Sequence, residues 1–407
     1  MKIVFSHQNF PAQFGSFGAY LARIGWDVFF ITEKEQSQPP PGCQMINMRP
    51  HRDETKGIHR FARPLEKAMI NGQAFANAAI RARASGLTPD VVVAHSGWGS
   101  GTFAKAIWPD CKYVSYVEWY YRFPPVDSME DSSEINAKAE DGRALALSRN
   151  APTLLDFAES DLVICPTHFQ KSQFPDWLAN RITVMHDGID TRRHAPDPKA
   201  RLPLSGGAPP TDAEIITYAT RGMEPHRGFP EFMRALEILQ KRRGRLHAVI
   251  GGQDRVAYGS QRPEGRSWKT TMLEELDLDS ERLHWPGLLP RNDWQAMLKS
   301  THVHVYLTVP FVLSWSLLEA MSTACPLVVS DTEPVREVVT SGVHAETVDH
   351  RDPGALAAAI ERLLDDRDRA ARLGNAARAA VIRGFDEEWI FPARARLLSD
   401  LVHFSKG

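Results

Sequence analysis

Residues 302–338 read HVHVYLTVPFVLSWSLLEAMSTACPLVVSDTEPVREV, and their pattern indicates the fold class. An apolar, β-branched run, Val303 to Leu307, ends before Pro310, and apolar residues at helical spacing follow. A second β-branched run, Pro326 to Ser330, precedes an acidic turn and another helical segment. This order predicts a β-α-β unit, the element from which parallel α/β sheets are built.

The first helix of this unit contains a single carboxylate, Glu319, in an otherwise apolar segment. Burial of a lone carboxylate is costly, so we expect Glu319 to be hydrogen-bonded. We interpret Glu319 as a residue that faces a ligand crevice and binds the ribose of a nucleotide.

The composition is that of a globular protein with more than one core. A chain of 407 residues, 43% hydrophobic and 24% charged, favours two domains. The formal net charge of −2 gives no electrostatic footprint for nucleic acid. The four cysteines form no CxxC pair, which favours a reducing compartment and argues against a zinc site.

The N-terminal residues do not have the pattern of a signal peptide, and no run of about 18 apolar residues predicts a membrane span. We therefore expect a soluble, cytoplasmic protein. Contact with a membrane surface through the final helix stays open as an alternative. The oligomeric state is not indicated.

In the N-terminal half, polar residues follow predicted strands at several places. Ligands of parallel α/β sheets bind outside the carboxyl ends of the strands. His95 and Glu118 lie there and are candidate catalytic residues. The candidate acceptor-binding residues are Gln13, Trp98, Tyr120 and Arg122. The alternatives are a structural role for His95, an ion pair between Arg122 and Glu118, and plain connecting turns.

Residues 192–210, RRHAPDPKARLPLSGGAPP, are rich in proline and glycine and are typical of a linker. A second α/β series follows. We predict a first domain at 1–187 that binds an acceptor, a linker at 188–212 and a second domain at 213–384 that binds a nucleotide. A further, C-terminal helix is expected over 385–407.

Two arginines, Arg221 and Arg227, lie on a glycine-containing loop between a strand and a helix. Arginine forms paired hydrogen bonds with phosphate oxygens, and a helix N-terminus adds partial positive charge. The loop therefore indicates a pyrophosphate site, with Arg221 and Arg227 as candidate catalytic residues, and solvated arginines are the alternative.

Other candidate donor-binding residues lie at glycine turns and at the start of the helix that carries Glu319. They are Gly252, Gly287, Leu288, Leu313, Ser314, Trp315 and Ser316. No acidic cluster of the DxD type follows a strand, so no metal ligands are predicted.

These motifs together resemble the GT-B glycosyltransferases, family 4 in particular. The arginine loop is similar to the phosphate loop of that family, and WPGLL to its base-contacting turn. LLEAMS…CPLVVSD resembles its E-A-M-A-x-G-x-P-V signature, and HDGIDTRRHAP its N-G-V-D-x-x-x-F-x-P segment. The resemblance implies two Rossmann-like α/β/α domains that face each other across a cleft, with the nucleotide-sugar site in the second domain, 213–384. It also implies that the last helix, 385–407, packs on the first domain and that the anomeric configuration is retained.

The chain departs from the family pattern at several positions. Phe311 occupies the position of the first of two glutamates, a residue that often contacts the donor sugar. Arg227 replaces a lysine, Ala324 a glycine, and Glu118 the histidine of the first domain. The resemblance therefore speaks for nucleotide binding at Glu319 but leaves the donor sugar open.

The expected function is transfer of a hexosyl group from an NDP-sugar, a UDP-sugar in the first instance, without metal or cofactor. The acceptor is a glycan, a lipid-linked saccharide or a small molecule. If the reaction inverts, Glu118 or His95 is the candidate base. The alternatives are an epimerase or phosphorylase on the same fold, and a non-catalytic nucleotide-sugar-binding protein.

Overall fold

The structure, a computed structural model, describes residues 1–34, 37–128, 139–202, 204, 209–259 and 265–403. The polar segments at 124–136 and 255–267, and the predicted linker at 188–212, lie partly outside these ranges. The strands are β1 (Lys2–Ser6), β2 (Asp27–Thr32), β3 (Gln44–Asn47), β4 (Val91–His95), β5 (Lys112–Tyr116), β6 (Leu162–Cys165), β7 (Ile182–Val184), β8 (Glu214–Gly222), β9 (Leu246–Gln253), β10 (Leu283–Gly287), β11 (Val303–Tyr306), β12 (Leu327–Ser330) and β13 (Glu346–Val348). The helices are α1 (Gly15–Arg23), α2 (Arg63–Ala84), α3 (Ala104–Ile107), α4 (Ala139–Glu159), α5 (His168–Ser172), α6 (Asp176–Ala179), α7 (Phe229–Arg242), α8 (Trp268–Glu275), α9 (Arg291–Ser300), α10 (Trp315–Ser322), α11 (Glu333–Arg336), α12 (Pro353–Asp365), α13 (Arg367–Phe385) and α14 (Glu387–His403).

The chain forms two compact units, with the boundaries at Gly188/Ile189 and Asp386/Glu387. The first unit contains a parallel sheet with strand order β3-β2-β1-β4-β5-β6-β7. Its central strands are buried on both faces, because Ile3 and Phe5 point into one apolar cluster and Val4 into another. Continuous apolar runs are the pattern that such doubly covered strands require.

The last helix, α14, belongs to the first unit. Phe391 packs against Phe17 with ring centroids 5.4 Å apart. Arg394 is buried, lies over the Phe17 ring and is 3.4 Å from Asp187 Oδ1. A buried guanidinium needs such a partner, and the pairing fixes α14 on the sheet.

The second unit contains a parallel sheet with strand order β10-β9-β8-β11-β12-β13. The β-α-β unit of residues 302–338 forms its middle as β11, α10 and β12. Val303 and Val305 point into one apolar cluster, while Leu327 and Val329 point into the other. Both units are thus parallel α/β domains, as the sequence predicts.

The observed elements differ from the predicted ones at two places. β3 was not predicted, because only Met45 and Ile46 of its four residues are apolar. β8 continues to Gly222, so Arg221 lies at the end of a strand rather than on the loop.

The first residues of the predicted linker are packed within the second unit. Thr191 and His194 are buried, and Thr191 Oγ1 donates to Asp386 Oδ2. Across the described ranges, no helix is both long and apolar enough to cross a membrane.

Candidate functional site

Arg227 lies where β8 gives way to α7, in a short 3-10 turn, and its guanidinium is held in place from two sides. Nη1 donates to Thr308 Oγ1 over 2.8 Å. The guanidinium carbon lies 5.1 Å from the ring centre of Tyr258 and 5.6 Å from that of Phe311. Tyr218 donates its hydroxyl proton to the Arg227 carbonyl over 2.7 Å, which fixes the backbone. A cation so positioned at the carboxyl end of a parallel sheet is suited to bind a phosphate.

Tyr258 is positioned by a buried carboxylate three residues before Arg227. Glu224 is fully buried and accepts hydrogen bonds from the backbone N–H groups of Ala257, Tyr258 and Gly259 at 2.8–3.2 Å. A carboxylate with this many N–H donors is well stabilised despite its burial. Glu224 therefore ties the Tyr258 segment to the arginine turn.

His226 and Phe311 complete an aromatic wall beside Arg227. The His226 ring meets Phe311 edge-on at 4.8 Å and lies nearly parallel to Tyr258 at 5.8 Å. Burial, together with the neighbouring Arg227, lowers the pKa of His226 to about 4. The imidazole is therefore neutral at physiological pH.

Arg221, the other predicted member of the phosphate clamp, is exposed at the end of β8. Arg221, in the strand, and Arg227, in the turn, therefore have different environments.

The N-terminus of α10 lies shortly after Phe311 in the sequence. Ser314 is the N-cap: its Oγ accepts from Ser316 N over 3.3 Å, and its own N–H donates to Tyr306 Oη over 3.3 Å. The first turn of a helix leaves N–H groups without intrahelical partners, and these bind anions. Leu313 is buried in the core, so it offers only backbone to a ligand, whereas Trp315 is half-buried.

Glu319 lies one turn further along α10, and its side chain is only 13% exposed. Oε2 accepts from Trp294 Nε1 over 2.7 Å, and Oε1 lies 3.4 Å from His194 Nε2 and 3.9 Å from an Arg291 nitrogen. Burial raises the pKa of Glu319, and the Trp294 hydrogen bond and Arg291 oppose that rise. The sequence-based expectation of a hydrogen-bonded carboxylate is confirmed, with one oxygen engaged by an indole.

A cavity of about 520 Å³ opens at the carboxyl ends of β9 and β10. Gly252, Gly287 and Leu288 line it, together with Trp285 and Lys269. Gly252 has φ +129°, and a Cβ there would lie 2.1 Å from the Thr220 carbonyl oxygen, so only glycine fits. Gly287 has φ +72° with open space around its Cα, so its backbone is accessible to a planar ligand.

In the first unit, His95 and Glu118 meet at the carboxyl ends of β4 and β5. His95 Nε2 lies 2.9 Å from Glu118 Oε2, and His95 Nδ1 lies 3.0 Å from the Ser96 carbonyl oxygen. Both ring nitrogens thus lie within hydrogen-bonding distance of oxygen atoms, and these contacts fix the orientation of the His95 ring. Gln13 Nε2 donates to Glu118 Oε1 over 2.9 Å.

His7 is the member of this cluster that sequence reasoning left without a role. Its ring lies edge-on to that of His95 with centroids 4.5 Å apart. Burial and the charge of His95 lower the pKa of His7 to about 2, so the ring is neutral. Nδ1 accepts from Asn9 N over 2.7 Å.

The glycine-rich turn after β4 is held by Asp156, which the sequence did not single out. This buried carboxylate accepts from Ser96 Oγ, Gly97 N and Thr102 Oγ1 at 2.7–3.0 Å. Burial raises the pKa of Asp156, and these donors oppose the rise. The turn is therefore rigidly positioned next to His95.

The remaining candidate acceptor residues have varied surroundings. Trp98 is half-buried and accepts from Asn71 through its carbonyl. Tyr120 packs on Phe174 with ring centroids 5.3 Å apart. Arg122 is exposed and donates to the Ser172 carbonyl over 3.4 Å, whereas Glu118 pairs with His95. The alternative of an Arg122–Glu118 ion pair is thus not the arrangement observed.

Several site residues escaped the sequence analysis because their roles depend on distant partners. No sequence motif predicts that the following residues contact Arg227 or Glu319: Glu224, His226, Tyr258, Trp294 and His194. The proximity of Glu224 and His226 to Arg227 along the chain was the one indication that these two residues belong to the site. Within the described ranges, no group of three or more His, Cys, Asp or Glu side chains is arranged to hold a metal ion.

Two family models match the chain, one for each series of strands. Residues 24–194 match the model described as "Glycosyl transferase family 4 group". Residues 206–380 match that of "Glycosyl transferases group 1". The resemblance identified from the sequence is therefore confirmed.

Curated relatives carry related names. A D-inositol 3-phosphate glycosyltransferase of Thermobispora bispora is 30% identical over 202 residues, which cover 47% of this chain and 44% of that protein. A GDP-mannose-dependent alpha-(1-6)-phosphatidylinositol monomannoside mannosyltransferase of Mycolicibacterium smegmatis is 26% identical over 60% of this chain and 62% of that protein. The chain thus spans about half the length of the curated relatives it matches.

Solved structures share the fold over nearly the whole chain. Sucrose-phosphate synthase from Thermosynechococcus elongatus superposes with a TM-score of 0.74 at 19% identity, covering 100% of both chains. Anabaena Alr3699/HepE in complex with UDP and glucose gives a TM-score of 0.67 at 17% identity, over 98% of this chain and 100% of that one. These likenesses show that both parallel-sheet domains have GT-B neighbours.

Proposed function

We propose that this chain, which carries the family 4 and group 1 glycosyltransferase domains, transfers a hexosyl group from a nucleotide sugar to a hydroxyl acceptor. The observation that carries the proposal is the Arg227 guanidinium, fixed by Thr308 at the carboxyl edge of the second sheet. Glycine turns, a helix N-terminus and a buried carboxylate lie on the same sheet edge.

The base, the ribose and the diphosphate of the nucleotide bind at three separate places in the second unit. The cavity at Gly252 and Gly287 receives the base, with an accessible backbone that reads the base edge. Glu319 binds the ribose through Oε1, since Oε2 already accepts from Trp294. Arg227 and the first turn of α10 bind the diphosphate.

The chemistry that these residues support is stabilisation of a leaving group. As the bond between the anomeric carbon and the diphosphate oxygen breaks, negative charge grows on the diphosphate. A fixed guanidinium and aligned N–H groups stabilise that charge without reorganisation. The acceptor oxygen forms the new bond to the anomeric carbon, and its proton leaves to the departing diphosphate. We propose that the anomeric configuration is retained and that no metal or cofactor is needed.

The first unit supplies the acceptor side in this proposal. Gln13, His95 and Glu118 form one hydrogen-bonded group at the sheet edge, with donors and acceptors suited to a hydroxyl. Trp98, Tyr120 and Arg122 are the further acceptor-binding candidates. A glycan, a lipid-linked saccharide or a small polyhydroxylated molecule fits this chemistry, and two relatives are named for inositol phosphate and phosphatidylinositol mannoside acceptors.

We propose a UDP-sugar as the first donor to test, with a GDP-sugar second. Alr3699/HepE, a fold neighbour, was solved with UDP, whereas one relative is named as GDP-mannose-dependent.

The test incubates the protein with UDP- and GDP-sugars in the presence of EDTA and measures binding by calorimetry and nucleotide release by chromatography. We expect micromolar to millimolar affinity for one nucleotide and slow release that EDTA does not suppress. If no nucleoside diphosphate or nucleotide sugar binds, the proposal is wrong. Binding without any turnover, in the presence of a glycan and polyol panel, would instead favour the non-catalytic alternative.

A further inference from the structure

The side chains that surround Arg227 are mainly aromatic. Three side chains form this aromatic wall: His226, Tyr258 and Phe311. Their ring centroids are 4.8–5.8 Å apart, so the three rings are in mutual contact. Two of them also lie within 5.6 Å of the Arg227 guanidinium carbon.

The position of the wall follows from the phosphate site. A donor sugar is bonded directly to the terminal phosphate of the nucleotide, so it lies beside whatever cation binds that phosphate. Arg227 is that cation in the proposed function, and the wall flanks its guanidinium. The sugar ring therefore meets aromatic faces and edges on this side of the site.

Aromatic rings and carboxylates select different sugars. A carboxylate accepts hydrogen bonds from sugar hydroxyls, whereas a ring offers an apolar surface to C–H groups. Of the three rings, only that of Phe311 carries no hydrogen-bonding atom, so a hydroxyl pressed against Phe311 loses water and gains no acceptor, which costs binding free energy. His226 does not restore a charge to this surface, because burial keeps its imidazole neutral.

The wall is fixed rather than adaptable. Glu224 holds the Tyr258 segment through hydrogen bonds to three consecutive N–H groups. His226 is 6% exposed and belongs to the short turn closed by Arg227. The Val309 N–H donates to the His226 carbonyl over 3.2 Å, which joins this turn to the loop that carries Phe311. A wall that cannot withdraw discriminates between sugars by shape and polarity.

We infer that the donor of this protein is a nucleoside diphosphate-deoxyhexose, whose missing hydroxyl faces the Phe311 ring of the aromatic wall. The inference rests on the proposed function and narrows it to one class of donor. An apolar ring surface discriminates against an added hydroxyl by a factor of about 10–100.

The experiment uses the full-length protein and matched donors. UDP-glucose is compared with its 2-, 3-, 4- and 6-deoxy forms, and GDP-mannose with GDP-6-deoxymannose. UDP and GDP alone are measured first. The readouts are Kd from calorimetry and kcat/KM for nucleotide release. We expect one deoxy form to exceed its parent by about 10–100-fold in both quantities.

Phe311→Gln tests whether the wall causes the preference. The glutamine amide accepts a hydroxyl hydrogen bond without adding a charge beside Arg227, so the deoxy-to-parent ratio should fall at least tenfold. Phe311→Leu, which keeps the surface apolar, should keep the ratio within about threefold of the native value. Affinity for UDP or GDP alone and the thermal unfolding midpoint show whether each variant is folded.

The failures of the two proposals are distinguishable. If UDP and GDP alone do not bind, the proposed function fails. If a diphosphate binds but parent and deoxy sugars bind equally, or the parent binds better, the deoxyhexose inference is overturned while the proposed function stands. A deoxy preference that Phe311→Gln leaves unchanged also overturns it, because the wall is then not its source.

Discussion

Trp294 Nε1 donates a hydrogen bond of 2.7 Å to Glu319 Oε2, so an indole from α9 holds one oxygen of the carboxylate on α10. The other oxygen, Oε1, lies 3.4 Å from His194 Nε2. The carboxylate is thereby oriented by side chains that are distant in sequence. Oε2 is therefore engaged by the protein, and Oε1 is the oxygen that we propose to bind the ribose.

Glu319→Gln should weaken nucleotide binding without unfolding the protein. The amide keeps an oxygen for Trp294 but removes the charge-assisted acceptor for ribose hydroxyls, so KM for the donor should rise about 10-fold or more. The measurement is donor KM and Kd for the free nucleoside diphosphate. An unchanged Kd would contradict the ribose role. Trp294→Phe is the matched variant that leaves the carboxylate intact but unoriented.

The difference in the free energy of unfolding between the native protein and Glu319→Gln should depend on pH. Burial raises the pKa of Glu319 above its unfolded value, so its ionised form is disfavoured in the folded protein. The native protein therefore loses stability, relative to the variant, as pH rises through the folded pKa, and the two converge in acid. Denaturant unfolding at pH 4, 5.5 and 7 measures this, and a difference that grows toward acid would show the opposite sign.

Arg227→Ala should lower kcat by about 10²–10³-fold, because the fixed guanidinium stabilises charge that develops on the leaving diphosphate. Steady-state nucleotide release with the preferred donor measures it. Arg234→Ala removes an exposed arginine of α7 and should change kcat less than twofold. If Arg227→Ala retains native turnover, Arg227 has no part in the mechanism.

Glu224→Ala should destabilise the protein and disturb donor binding together. Its buried carboxylate accepts from the N–H groups of residues 257–259, and loss of these charge-assisted hydrogen bonds costs about 1–3 kcal/mol. Glu224→Gln keeps one acceptor oxygen and should fall between the native protein and the alanine variant. Urea unfolding and donor Kd are the measurements, with exposed Glu281→Ala as control. A native-like Glu224→Ala variant would exclude the proposed link to Tyr258.

Glu118→Gln separates the acceptor side from the donor side. The change removes the carboxylate charge from the 2.9 Å pair with His95 while the fold of the second unit is untouched. We expect Kd for the nucleoside diphosphate to stay within twofold, whereas transfer to the acceptor falls at least tenfold. A loss of nucleotide binding, or unaltered transfer, would contradict this division.

Acid should destabilise the protein through buried neutral histidines. Burial lowers the pKa of His304 from 6.5 to about 3, so the unfolded chain binds a proton that the folded chain does not between these values. Stability is present above pH 6.5 and is lost as pH falls below it, by up to about 1.4 kcal/mol per pH unit for each such histidine.

His304→Gln tests this contribution, because the amide can still meet Thr217 Oγ1, which lies 2.8 Å from His304 Nδ1. Its free energy of unfolding should fall less steeply between pH 6.5 and 4.5 than that of the native protein. His59→Gln, at an exposed position, should leave the slope unchanged. Identical slopes for native and His304→Gln proteins would remove His304 from the account.

The class of both domains follows from the amino-acid pattern. Continuous β-branched runs alternating with helical periodicity allow few arrangements other than parallel sheets covered on both faces. The pattern also predicts Arg227, Gly252 and Gly287 after strand ends and Glu319 in the helix after β11, because the carboxyl edge of a parallel sheet is fixed once the strands are known. The short polar strand β3 carried too little apolar pattern to be predicted.

The side chains that meet at those sheet edges are seen in the three-dimensional structure and could not be predicted from the pattern. Pattern along the chain determines which face of an element is buried, but not which distant residue lies opposite. Trp294 on Glu319, Glu224 beneath the Tyr258 segment, and the rings of Tyr258 and Phe311 around Arg227 are contacts between separate elements. Hydrogen-bond geometry and ring packing fix them only after the strands have found their order, and these contacts determine the chemistry of the site.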